Sequence, residues 1–383
     1  MLIFVYEQTR IASRKLGGVK MEQWKELLAK GYSDIRDLRS IFQLTESEVQ
    51  GLSQIQETFP MFINPYYLSL IALSDPNDPI RKMSIPSLYE AFRKGSLDTS
   101  GELKNTVFPG LQHKYKETAL ILSTNQCAMY CRHCFRKRLV GASESEIIRK
   151  LNDITSYIKE HKEITNVLIS GGDAFMNSNA TIERYLEALC DIPHLDLIRF
   201  GTRVPVVLPQ RIISDIELQH ILQHYSLVKR LYVVTQFNHP TEVTPEAEAA
   251  VDLLISQGIP VRNQTVLLNG VNDSARVMGE LLKELTSIGV IPYYVFQCRP
   301  VAGVKEQFQV PLRTGSEIVR QAMEMQSGMG KCFRYVMSHI TGKIEILGSI
   351  NKKEMLFKYH QAQDPADSGR IFTRPVSSGQ CWL

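Results

Sequence analysis

From about residue 116 to residue 330, short apolar runs alternate with amphipathic segments, and no other feature of the chain constrains its fold as strongly. The runs are TALILST, NVLISG, LDLIRFG, KRLYVVTQF, VRNQTVLL and IPYYVFQ. Interleaved with them are ESEIIRKLNDITSYIKE, ATIERYLEALCDI, SDIELQHILQHY, PEAEAAVDLLISQG, DSARVMGELLKELTSIG and TGSEIVRQAMEMQSG, which carry apolar residues at helical spacing. Near-continuously apolar strands are buried on both faces, and such helices are the crossovers that join parallel strands. Six βα units in a row predict an α/β fold with a partial (β/α)6 barrel; a doubly wound open sheet is the competing layout.

The flanks differ. Residues 1–110 read as a helical region and a connecting arm, residues 111–330 as the barrel core, and residues 331–383 as a C-terminal segment. In the first, MEQWKELLAKG has helical spacing, and Thr45 with Glu48 forms a capping-box pattern ahead of a second helix. PYYLSLIALSDPNDPIRKMSIP, rich in proline and turn residues, reads as an irregular arm. Near the C-terminus CFRYVMSH and GKIEILG suggest a hairpin, and the last 25 residues are polar and turn-rich.

A hydrophobic content of 44% with 22% charged residues is that of a soluble globular protein, and a net charge of +4 is too small to argue for a nucleic-acid partner. No run approaches the roughly 20 apolar residues of a membrane span, and the opening MLIFVYEQTR lacks a basic n-region and a cleavage site. These features predict a cytoplasmic protein without a membrane partner. Seven cysteines, three of them within eight residues, argue for reduced thiols rather than a disulfide framework.

Those three are Cys127, Cys131 and Cys134, in the C-x3-C-x2-C stretch that follows TALILST. A zinc site usually takes four ligands; only one knuckle is present, and His133 would have to serve as the fourth. Thiolates also suit a [4Fe–4S] cluster, which normally takes four cysteines. Three local ligands would leave one iron open to bind something else. The end of a first barrel strand is where such folds place their chemistry.

The motif and its position resemble the radical S-adenosylmethionine (SAM) enzymes. CAMYCRHCFRKR, LISGGDA, GTRVPVVLPQRI, QFNHPTEVT, NQTVLLNGVND and PYYVFQC, in that order along the chain, are similar to the lysine 2,3-aminomutase family. The resemblance implies that the open iron binds SAM and that one electron then releases a 5′-deoxyadenosyl radical. It also implies a second cofactor, pyridoxal phosphate (PLP), held by a lysine, migration of an amino group from C2 to C3, an electron donor such as a flavodoxin or ferredoxin, and a homodimer. Ser170, Gly171, Gly172 and Asp173 would hold the SAM amino group, although the same residues read as a simple βα turn. Arg203 and Gln264 are further SAM or pocket contacts. Arg136 would take the substrate's α-carboxylate, Lys114 and Tyr115 the PLP phosphate, and Lys343 would be the PLP lysine. Asn238 and His239 fit a turn cap equally well.

Two departures stand out. Thr118 occupies the place of a second phosphate-binding base, and the glycine run before the lysine is reduced to Gly342. The two aspartates that hold lysine's distant ammonium in the family are replaced by Arg299 and by Met337 or Ser338. A buried arginine facing an ammonium costs several kcal/mol, so the expected substrate is an acidic amino acid rather than lysine. A radical SAM enzyme without PLP and a non-catalytic iron–sulfur or zinc module are the competing functional readings.

Overall fold

The structure is a computed structural model that describes residues 23–383. The N-terminal decapeptide and the first two residues of the first expected helix, Met21 and Glu22, lie outside the described residues.

Twelve strands, paired in chain order β1 to β12, form a single sheet. Its centre is the expected parallel series: β3 (Thr118–Thr124), β4 (Asn166–Gly171), β5 (Leu197–Gly201), β6 (Arg230–Thr235), β7 (Val261–Leu267) and β8 (Ile291–Gln297). A seventh strand, β9 (Arg334–His339), pairs parallel with β8. The order does not return to its start, so the sheet is a partial barrel that stays open.

Both ends of the series carry antiparallel additions. β1 (Thr106–Phe108) and β2 (Leu111–Tyr115) precede β3. β9 turns into β10 (Gly342–Ser349), the expected hairpin. The polar tail adds more than turns: β11 (Glu354–Ala362) and β12 (Ile371–Pro375) continue the antiparallel sheet. β11 alternates buried and half-buried residues, a period-2 pattern diluted by its lysine, histidine and glutamine.

Strand alternation decides what the barrel presents inwards. On β7, Val261, Asn263, Thr265 and Leu267 are buried, whereas Arg262, Gln264 and Val266 line the interior cavity. β4 does the same with Asn166, Leu168 and Ser170, and β5 with Leu197, Arg199 and Gly201. Outside, the helices Asn179–Cys190, Pro245–Ser256 and Ala275–Ser287 cover the sheet, each begun by a serine or threonine whose hydroxyl caps its first turn.

Two local readings change. The helix expected from residue 144 begins only at Leu151. Before it, Glu146 pairs with Arg138 and the Ile148 amide donates to the Leu122 carbonyl at 3.0 Å, so residues 144–150 follow the edge of β3 instead. The proline-rich arm is partly helical, with short turns at Pro65–Leu68 and Pro79–Ser84 capped by Asn64 and Asp78. The Thr45–Glu48 capping box forms as expected.

Candidate active site

The three cysteines, Ser170, Gly171, Gly172, Asp173, Arg203, Gln264, Lys114, Tyr115, Arg136, Arg299 and Lys343 all line one cavity of about 650 Å³ inside the barrel. Cys127, Cys131 and Cys134 stand at one end, on the loop after β3; Lys343 reaches in from β10, and Arg299 from just beyond β8. Ser338 lines the cavity, whereas Met337 packs in the hydrophobic core.

The cysteine loop is held by the residues around it. Tyr130 donates its amide to the Phe62 carbonyl, and Arg132 donates its amide to that of Met83, so the N-terminal arm backs the loop. The Gly171–Gly172 turn lies against its other side. A side chain at Gly171 would meet the Thr124 carbonyl at 2.3 Å, and one at Gly172 the Gln126 carbonyl at 2.3 Å; Gly171 also has φ 123°. These glycines therefore let two backbone loops touch. Asp173 is fully engaged in the same turn, accepting hydrogen bonds from the Thr202 hydroxyl (2.5 Å), the Arg203 amide (2.7 Å) and the Phe175 amide (3.0 Å).

Arg203 donates to the Cys131 sulfur at 2.9 Å and pairs with the buried Glu242, which also accepts from Tyr67. Burial and neighbouring acids push the Cys127 thiol up, and burial with Cys131 pushes Cys134 up to about 11. Both are protonated thiols until a metal displaces the proton. His133 Nε2 accepts from Gln236 at 2.9 Å, and among the described residues no three Cys, His, Asp or Glu side chains converge on one ion position. A cubane takes one thiolate at each of separate irons and needs no such convergence. Asn238 and His239 serve their turn, His239 Nδ1 accepting from the Thr241 amide.

The basic residues after the cysteines find partners that sequence spacing did not reveal. Glu90, fully buried, takes Arg132 at 2.7 Å and Lys137 at 2.6 Å. Glu102 takes Arg136 at 2.9 Å and Arg138 at 2.8 Å. Burial raises the Glu102 carboxyl, but Arg136, Arg299 and Arg138 outweigh it and hold it down at about 2. Both glutamates come from the N-terminal arm, where nothing in the local pattern marks them. Glu90→Gln would leave two buried cations without a counter-charge. It is expected to cost about 3 kcal/mol or more of stability, read as a fall in the unfolding midpoint; an unchanged midpoint would show that the clamp contributes little.

Lys343 is the most perturbed amine in the cavity. Burial, with Arg199, Arg299 and Lys114 adding repulsion, pushes its ammonium down to about 7. Its Nζ donates to Gln361 at 3.0 Å and lies 4.4 Å from the centroid of the Tyr294 ring, with Tyr115 and Phe296 nearby. An amine that is roughly half neutral near pH 7 is suited to attack a carbonyl. Arg299 donates to the Ser100 hydroxyl at 2.8 Å and stacks over Phe135 at 4.1 Å. Lys114 donates to the Ser100 and His339 carbonyls, and burial pushes it down to about 8.

A three-cysteine loop at the mouth of an open parallel barrel defines a class of iron–sulfur radical enzymes, and the Radical SAM superfamily model matches residues 121–281. Over 90% of its length the chain is 42% identical to a putative L-lysine 2,3-aminomutase of Aquifex aeolicus, covering 92% of that protein. It is 41% identical to the L-lysine 2,3-aminomutase of Acetoanaerobium sticklandii and 39% identical to the glutamate 2,3-aminomutase of Clostridioides difficile, in each case over 80% of this chain and 73% of the relative. The chain belongs to the radical SAM 2,3-aminomutase family. Among the described residues no helix is long and apolar enough to cross a membrane, and all seven cysteines are free.

Proposed function

We propose that the protein is a PLP-dependent radical SAM 2,3-aminomutase acting on an amino acid with an acidic side chain, such as glutamate or aspartate. Cys127, Cys131 and Cys134 would hold a [4Fe–4S] cluster with one iron open to SAM, and Lys343 would hold PLP. When bound, these groups supply a 5′-deoxyadenosyl radical and a conjugated π system that carries the unpaired electron while nitrogen moves from C2 to C3. Ser170, Gly171, Gly172, Asp173, Arg203 and Gln264 stand where SAM would contact the barrel. Since the carboxylate of Asp173 is spent within its own turn, that turn offers backbone edges rather than a free acid. Arg203 fixes the sulfur of Cys131.

Arg136 and Arg299 bind and orient the substrate's two carboxylates, and the packed barrel wall excludes water from them. The observation that carries this reading is the charge balance around Glu102. Glu102 serves Arg136 and shares Arg138 with Glu146, which leaves Arg299 with a neutral serine as its hydrogen-bond partner. A carboxylate brought by the substrate would give Arg299 a charged partner of its own. A flavodoxin or ferredoxin would supply the electron, in the cytoplasm, and a homodimer is the expected assembly.

The reconstituted protein is expected to turn over glutamate or aspartate with kcat/KM at least about 100-fold above lysine, and Arg299→Met to lose about as much of that preference. Comparable turnover of lysine by the unaltered protein would refute the assignment of substrate class.

A further inference from the structure

The end of the cavity remote from the cysteines carries two arginines that none of the roles above uses. The strands run parallel, so their starts meet at one end of the barrel, and there stand Thr118, Asn166, Arg199, Arg262 and Tyr293, all lining the cavity. Arg199 Nη2 donates to Asn166 Oδ1 at 2.5 Å, and the Thr118 hydroxyl donates to the same oxygen at 3.2 Å. Asn166 thus links the small Thr118 to a guanidinium arriving from β5. The Nε of Arg199 is buried and has no partner. Arg262 lies over the faces of Tyr293 and Tyr232, 5.2 and 5.7 Å from their centroids.

Among the described residues neither cation has an acidic partner. The salt bridges inside the barrel belong to Arg136, Arg138 and Arg203. Besides burial, the groups acting on Arg199 are Tyr293, Tyr294 and Arg262, with no carboxylate among them. Two guanidiniums without an acidic partner among the described residues, at the end of a cavity where the strands begin, call for a dianion, and the planar fork of arginine matches phosphate oxygens.

Lys343 fixes which dianion. Arg199 heads the charged groups that depress its ammonium, so the two side chains are electrostatic neighbours. PLP carries its phosphate ester on the ring carbon next to the one bearing the aldehyde. A lysine that takes the aldehyde therefore needs its phosphate seat beside it. Lys114 has given two of its three N–H donors to carbonyl oxygens, which leaves it one at most for a phosphate. We propose that Arg199 and Arg262 form the phosphate seat of PLP, reaching from β5 and β7 into the space that Thr118 leaves. The inference rests on Lys343 being the PLP lysine.

The test compares PLP with pyridoxal, which has the same ring and aldehyde but no phosphate, by absorbance titration of the cluster-loaded full chain. Wild type is expected to prefer PLP strongly. Arg199→Gln and Arg262→Gln are each expected to reduce that preference roughly tenfold or more while leaving pyridoxal affinity within about twofold. Arg262→Lys, which keeps the charge and loses the fork, is expected to fall between them and guards against a glutamine variant that does not fold. Equal weakening of both ligands, or none, would overturn the proposal. So would PLP affinity unchanged with glutamate affinity lost, which would make this end of the cavity the substrate's. If wild type binds neither PLP nor pyridoxal, the Lys343 reading itself has failed and the phosphate seat falls with it.

Discussion

Alanine at Cys127, Cys131 or Cys134 is expected to strip the anaerobically prepared protein of its iron and of its broad absorption in the blue. SAM cleavage by the reduced protein should fall with it by well over 100-fold, since loss of a group that merely orients a ligand commonly costs about 10–100-fold. Alanine at Cys190 or Cys298 should leave both properties intact, because neither belongs to the three-cysteine loop; Cys298, for all that it lines the cavity, is buried at the end of β8. The three ligand positions should behave alike, since each would hold a separate iron. A variant that keeps full iron content and SAM cleavage would remove that cysteine from the set. Zinc in place of iron, with no visible absorption in the wild type, would favour the binding-module reading.

Lys343 carries the second large effect, and it acts in opposite directions on function and stability. Lys343→Ala should abolish the visible absorption of lysine-bound PLP and reduce aminomutase turnover to background; persistence of the absorption would place the PLP lysine elsewhere. The amine is buried where its pKa is about 7, against an ordinary value of 10.5. Above pH 10.5 it is neutral folded or unfolded, and its ionisation costs nothing. As pH falls, the unfolded chain takes up the proton first, so the penalty grows until about pH 7 and is constant below. Lys343→Met should therefore stabilise the PLP-free protein by ~4 kcal/mol at pH 7, with an advantage that shrinks towards pH 10.5. Thermal midpoints across that range check it; an advantage independent of pH would trace the gain to packing instead.

The parallel core was legible because each strand is a compact apolar run and each helix has a clear stripe: β3, β4 and β8 coincide with the runs read from sequence. β11 and β12 were not legible, because their outward residues are polar and their pairing partner lies in the preceding strand. In the site, the cysteine spacing is local and could be read directly. Glu90 and Glu102 could not, because each meets its cations across more than thirty residues of chain. The sequence also suggested a ligand as the reason for Gly171 and Gly172, whereas the close neighbour is the backbone of residues 124–126. Arg199 and Arg262 went unread for a related reason. Each sits singly within an apolar strand, and only the curvature of the sheet brings them to one cavity.

The antiparallel extension that carries Lys343 has a consequence for how such an enzyme can diversify. Most of the residues that would make the radical stand on the loops after β3, β4 and β5, braced by the N-terminal arm. Residues that would choose the amino acid and seat its second cofactor come from β8, β10 and the strand starts at the opposite end. The two sets face the same space yet hang on different pieces of chain. Drift at Arg299, Ser338 or the ladder around Lys343 can rewrite which molecule is transformed without touching the parts that ignite the reaction. A lineage built on this scaffold can inherit its spark intact and renegotiate its fuel.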